Sequence, residues 1–134
     1  MRLQISTEYA LRILQHLHSR RCHDLQTAMS IATSIGISYP FFNKISNQLK
    51  KADLIATVQG RNGGYTLGKS AHEISLYDVY SCVEGEISIN RCLEEGHRCT
   101  YKDKVNCKTR KALHALQSQM VVEMSSISVA ELAS

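Results

Sequence analysis

Three cysteines late in the chain are the residues best equipped for chemistry: Cys92, Cys99 and Cys107, with six and seven residues between them. They lie in the run Arg-Cys-Leu-Glu-Glu-Gly-His-Arg-Cys-Thr-Tyr-Lys-Asp-Lys-Val-Asn-Cys, which is polar and cationic and carries no helical or strand periodicity. The thiolate is the form that binds metals and attacks electrophiles, and cationic surroundings favour it. The spacing is not that of a zinc finger, where paired cysteines stand about two to four residues apart. Nor is it a ferredoxin run. Three such thiolates with one more ligand suit an iron–sulfur cluster; zinc, a disulfide, or free structural cysteines fit the same residues. Of the other two, Cys22 reads as a surface or half-buried thiol and Cys82 as a small core or interface residue.

A stretch of this length without periodicity needs a scaffold, and loops of this size in compact domains are functional or disordered. The scaffold is bounded by composition. The chain has 134 residues, enough for one modest core. A net charge of +4 permits a nucleic-acid partner without demanding one. Tryptophan is absent, which argues against stacking recognition of single strands. Arg2, Glu8 and Arg12 interrupt any apolar leader, and no apolar run approaches bilayer length, so a cytoplasmic location is expected. The histidines are scattered, and no acid–base pair or nucleophile constellation stands out. An enzyme is not expected.

The stretch from Ala28 to Gly68 organises the rest. A short helical pattern ends near Ile35, Gly36-Ile37-Ser38 breaks it, and a second runs from about Tyr39 to Ala52. A glycine in a short break between two helices signals a helix-turn-helix. Gly36 suits a left-handed C-cap and Ser38 an N-cap, and Pro40 is tolerated in a first turn. At helical spacing Phe42, Ile45, Leu49 and Ala52 share an inward side, with Pro40, Asn43, Lys44, Asn47 and Lys51 roughly opposite. Asn can bond base edges and Lys can meet phosphate or guanine. A plain solvated face is the simpler explanation of that side taken alone. The residues beyond the helix favour DNA. Ile55 to Val58 reads as a strand, Gly60-Arg61-Asn62-Gly63-Gly64 as a turn, and Tyr65-Thr66-Leu67 as the return strand. From Ser38 to Ser70, Lys44, Lys50, Lys51, Arg61 and Lys69 face Asp53 alone. The excess positive charge thus sits where phosphate contacts would need it.

The remaining elements complete a mainly α fold with a small β-hairpin wing. A first helix is predicted from Thr7 to Ser19, capped by Ser6 or Thr7, with Ala10, Ile13, Leu14 and Leu17 buried. Ser75 is predicted to cap a helix over Leu76 to Val83, with Leu76, Val79, Tyr80 and Val83 at core spacing. Helical pattern resumes from about Lys108 to Ser126, where Leu113, Leu116, Met120 and Met124 form a stripe flanked by Val121. That stripe has little room in so small a core, so it reads as a dimerisation helix. A short helix over Ile127 to Leu132 closes the chain. The expected organisation is a winged helix-turn-helix over residues 1–84, a cysteine-containing sensor loop over 85–107, and a dimerisation helix with its C-terminal segment over 108–134.

These residues resemble the IscR/NsrR/CymR-type winged-helix transcription regulators over essentially the whole chain. The resemblance is carried by Met-Arg-Leu…Glu-Tyr-Ala-Leu-Arg, by Ile-Ser-Tyr-Pro-Phe-Phe…Leu-Lys-Lys-Ala-Asp-Leu-Ile, and by Gly-Arg-Asn-Gly-Gly-Tyr-Thr-Leu. Ile-Ser-Leu-Tyr-Asp-Val and the closing Ile-Ser-Val-Ala-Glu-Leu extend it. It implies a homodimer, joined by the long C-terminal helix, on a palindromic operator in double-stranded DNA. It also implies a [2Fe-2S] or [4Fe-4S] cluster on loop cysteines matching Cys92, Cys99 and Cys107. The fourth ligand varies among members. In some it is a histidine three residues after the last cysteine, where this chain has Arg110. In others it is a carboxylate early in the partner's first helix, where Glu8 matches; His97 and His114 are further options. The chain departs from the pattern in its longer Cys99–Cys107 interval and in Gln59 before the wing glycine, where members commonly have Arg.

The expected function is therefore a sequence-specific DNA-binding regulator. Asn43, Lys44, Asn47 and Lys51 would lie at the major groove, Ser38 and Tyr39 at the start of the helix, and Arg61 and Asn62 at the minor groove or phosphate. A cluster on the cysteines would sense redox state, iron or nitric oxide. The alternatives are a cluster-free thiol or small-molecule sensor, and a winged-helix protein-interaction module with an incidental basic face.

Overall fold

The computed structural model describes residues 2–19, 25–100 and 106–133. The elements are α1 (Ile5–Ser19), α2 (Ala28–Ile35), α3 (Tyr39–Lys51), β1 (Ile55–Val58), β2 (Gly64–Leu67), α4 (Leu76–Glu84), a single 3-10 turn (Arg91–Leu93), α5 (Lys108–Ser126) and α6 (Val129–Leu132). The strands pair antiparallel, Ile55 opposite Leu67 and Val58 opposite Gly64. This is the expected winged helix-turn-helix with a long C-terminal helix. Among the described residues no helix is long and apolar enough to cross a membrane. The expected polar connection at Cys22-His23-Asp24 lies outside the described residues.

The apolar stripe of α1 is buried as its spacing requires: Ala10, Ile13, Leu14 and Leu17. The helix starts earlier than its sequence suggests, at Ile5, and neither Ser6 nor Thr7 caps it. Thr7 is fully buried, and its hydroxyl donates to Glu84 Oε2 at the end of α4. The same oxygen accepts the Gln4 backbone N–H at 3.2 Å. A carboxylate remote in the chain thus satisfies an orphan donor at this helix start, where a negative charge is also favoured.

Local chemistry sets the helix-turn-helix. Thr27 caps α2, Gly36 closes it at φ 76°, and Ser38 opens α3 by accepting the Phe41 N–H at 3.3 Å. Phe42, Ile45 and Leu49 are fully buried, which seats α3 on the core. Ala52, expected on that side, is exposed: α3 ends at Lys51, and Asp53 at φ 59° turns the chain into β1. The hairpin is held from two sides. Gln26 and Tyr65 exchange backbone hydrogen bonds of 2.7 and 3.3 Å, and the Tyr65 ring meets Phe42 edge-on at 5.3 Å. A Cβ at Gly64 would meet the Gln26 carbonyl oxygen at 2.5 Å, so only glycine permits this approach.

Ser75 and Asp78 form a capping box at the start of α4. Val79 is buried, whereas Leu76, Tyr80 and Val83, expected in the core beside it, are half-buried because α4 lies at the core's margin. The chain then leaves the core and comes back. α5 buries none of its 19 residues. Beyond it, Leu76 N–H donates to the Ile127 carbonyl and Val129 N–H to the Ile74 carbonyl, both at 2.8 Å. Val129 and Ala130 enter the core, where α6 meets α1.

Thr7→Val removes the hydroxyl from a carboxylate while keeping the volume. Unfolding in urea is expected to show a loss of about 1.5–3 kcal/mol, typical of a hydrogen bond to a charged group. The loss should shrink sharply in a Glu84→Ala background.

Candidate functional site

The outer side of α3 is polar because its inner side is fully used. Lys44, Asn47 and Lys51 are exposed, Asn43 is half-buried, and Tyr39 projects 46% exposed from the first turn. The Ser38 hydroxyl accepts the capping bond, which leaves its proton available to a phosphate. Arg61 and Asn62 stand exposed at the tip of the hairpin. Because Phe42 holds both α3 and Tyr65 of β2, these two groups are displayed by one framed unit. A shallow cleft of about 290 Å³ between the start of α2 and the wing is lined by Thr27, Lys50 and the backbone of Gly60 and Gly63. In the sequence Lys50 is only one charge among several. Its place beside the wing depends on the fold, and nothing in the local sequence marks it.

The second candidate region is the cysteine loop. It rides on α5: the Ile89 N–H donates to Gln117 Oε1 at 3.0 Å, and the 3-10 turn carrying Cys92 packs on the same helix. Cys92, Cys99 and Cys107 all line one cavity of about 540 Å³, together with Glu94, His97 and Arg110. The sequence separates these thiols; the loop's path brings them around one space. Cys107 is also the N-cap of α5, its sulfur accepting the Arg110 N–H at 3.4 Å. Asn90 Nδ2 donates to Cys92 Sγ at 3.1 Å. Among the described residues no three His, Cys, Asp or Glu side chains converge closely enough to hold one metal ion. Three thiols around one space are a donor set that suits an iron–sulfur cluster and a lone thiophilic ion alike. Glu8 is elsewhere. It is exposed on α1, paired with Arg12 at 2.8 Å, and does not line this cavity. His97 lines it; His114 is exposed on α5 and does not.

Cys82 takes no part in the cavity. It is half-buried on α4 and its thiol donates to the Gln48 carbonyl of α3 at 3.1 Å. Burial pushes this thiol's pKa up, so it stays protonated and keeps its donor at neutral pH. It is the small interface residue expected, and its hydrogen bond ties α3 to α4.

A family model described as Rrf2, an iron-dependent transcriptional regulator, matches residues 3–134. The chain belongs to the Rrf2 family. It is a DNA-binding transcriptional regulator rather than an enzyme. This Rrf2 protein is 38% identical over 118 residues to protein aau3 of Rhizobium meliloti, covering 86% of this chain and 76% of that one. It is 32% identical over 115 residues to the HTH-type transcriptional regulator NsrR of Shouchella clausii, covering 85% and 76%. Its fold is similar to CymR, the global cysteine regulator of B. subtilis, with a TM-score of 0.80 at 20% identity, covering 99% of this chain and 96% of that one. The resemblance carried by the sequence motifs is thereby confirmed.

Proposed function

We propose that this Rrf2 protein is a homodimer that binds a palindromic operator through α3 and the wing, and that it senses its signal at Cys92, Cys99 and Cys107. The observation that carries the first part is the divided surface of α3. Its apolar side is consumed by the core, while Asn43, Lys44, Asn47 and Lys51 face away beside a wing tipped by Arg61 and Asn62. Asn43 and Asn47 would bond base edges in the major groove. Lys44 and Lys51 would meet phosphate or guanine, with Ser38 and Tyr39 at the start of the helix. Arg61 and Asn62 would reach the minor groove or its phosphates.

The dimer reading rests on α5. Leu116 and Val122 are 51% and 69% exposed, and with Met120 they line a shallow groove along the helix. A second copy of the same helix is the natural occupant, because a twofold axis there matches a palindromic site. Residues 1–84 would then read DNA, 85–107 sense, and 108–126 join the subunits, while α6 returns to the reading unit.

At the sensing site Cys92, Cys99 and Cys107 would hold three positions of a [2Fe-2S] or [4Fe-4S] cluster, with Glu8 of a second copy or His97 as the fourth. Recruiting Glu8 costs only its exposed pair with Arg12, which is worth little. When bound, the cluster supplies a centre that responds to redox state, iron supply or nitric oxide. The loop's ties to Gln117 and Arg110 would pass a change in the thiols to α5. To switch anything, the two ligand states must differ in their contacts with the two conformations. A cluster-free thiol or small-molecule sensor is the second reading, favoured by Arg110 in place of the histidine ligand.

Fluorescence anisotropy on duplex operator should show affinity falling steeply with salt. Lys44→Ala should weaken binding to all sequences alike and flatten that slope. Asn47→Ala should cost about 1–3 kcal/mol and relax specificity at one position. Affinity insensitive to salt would contradict a phosphate-gripping surface. Protein purified without oxygen should be coloured and lose its visible absorption on Cys92→Ala. A colourless, iron-free product would favour the thiol reading.

A further inference from the structure

The cleft between the start of α2 and the wing belongs to neither of the surfaces assigned so far. Lys50 of α3, Thr27 just before α2, and Thr57 and Gln59 of the wing line it, over the backbone of Gly60 and Gly63. Its volume is about 290 Å³. Among the described residues Lys50 is the one charged side chain on its wall, and no carboxylate pairs with it. Lys50 is exposed and stands two helical turns beyond Asn43, on the same outer side of α3. The Thr27 hydroxyl accepts the Ser30 N–H at 3.1 Å, which leaves its proton to donate outwards. The walls are fixed to each other, because Gln26, next to Thr27, exchanges backbone bonds of 2.7 and 3.3 Å with Tyr65 of the wing.

A cationic, hydroxyl-lined cleft with no acid on its wall fits an oxyanion. Its place in the fold says which one. A helix in the major groove and a hairpin in the adjacent minor groove straddle the sugar-phosphate strand that separates the two grooves. That strand must cross between α3 and the wing, where Lys50 stands. We propose that the cleft seats one phosphate of that strand, with Lys50 supplying the charge and Thr27 a hydroxyl donor. This rests on the DNA reading made above for α3 and the wing. The contact carries no base information. Phosphate contacts fix the register of a protein on its duplex, and this one does so at the junction of α2, α3 and the wing. Lys50 and Thr27 are thus positioning residues: they hold the duplex where Asn47 and Arg61 can reach their two grooves.

The test neutralises protein and DNA separately. The probe is a duplex selected by the native full chain from a random pool, with one phosphate at a time replaced by an uncharged methylphosphonate. The native protein is expected to lose about tenfold in affinity at one position of each half-site, the scale of one charge-assisted contact. Lys50→Gln should bind the unmodified duplex more weakly, by about tenfold for each subunit bound, and be indifferent to neutralisation at that position. Lys69→Gln removes the same charge outside the cleft and should keep the native loss there. Thr27→Asp retains a good helix cap but puts a negative charge on the wall. It should weaken binding, and the methylphosphonate at the same position should relieve that weakening. Circular dichroism on each variant confirms that the fold is intact. A Lys50→Gln protein that shows the native loss at every position overturns the proposal and leaves the DNA reading standing. So does a Thr27→Asp protein whose weakening no single methylphosphonate relieves. A native chain that selects no duplex overturns both.

Discussion

Phe42 is the residue on which the joint placement of α3 and the wing depends. Its ring is fully buried, seats α3 on the core, and meets Tyr65 of the wing at 5.3 Å. Recognition by a helix and a hairpin works only if their separation is fixed before DNA arrives, because every freedom left in that pair must be lost on binding. The fixing is redundant. Tyr65 also exchanges two backbone bonds with Gln26, just before α2, and Gly64 lets those backbones approach. The wing is thus tied to both helices of the motif, and its charged tip is carried on a short, braced arm.

The second constraint runs the length of the chain. Glu84 closes α4 and holds the start of α1 through Gln4 and Thr7. Immediately after it begins the cysteine loop, which is tied to α5 by Gln117 and Arg110. The chain then returns through Ile127 and Val129 to the core beside Ile74. The loop is therefore anchored at one end to the helix that carries Glu8 and at the other to the helix with the exposed apolar row. The loop therefore has two helices beside it, and α4 is joined to α3 by the Cys82 thiol on the Gln48 carbonyl.

The parts of this arrangement that were legible in the sequence are those set by neighbours. Gly36, Ser38 and Ser75 are local capping chemistry, and they placed the helix-turn-helix and α4 correctly. The glycine-rich tip with short strand-like runs on either side marked the hairpin to within one residue. The misreadings arise where a distant residue decides. α1 begins early because Glu84 supplies its cap from across the fold. Ala52 falls outside the core because Asp53 turns the chain, which periodicity cannot register. The thiols of Cys92, Cys99 and Cys107 could be named but not placed around one cavity, and the reach of Arg110 to the Cys92 carbonyl, 18 positions away, depends on the loop's path.

The most direct test of the central claim, that α3 and the wing face one duplex together, is site-specific photo-cross-linking. A photoreactive residue at Asn47 and, separately, at Arg61 would be irradiated on duplex operator and the attached bases mapped. The account predicts that Asn47 marks major-groove bases within each half-site, and that Arg61 marks the adjacent minor groove in a pattern repeated by twofold symmetry. Cross-links from only one of the two positions, or from neither, would contradict it.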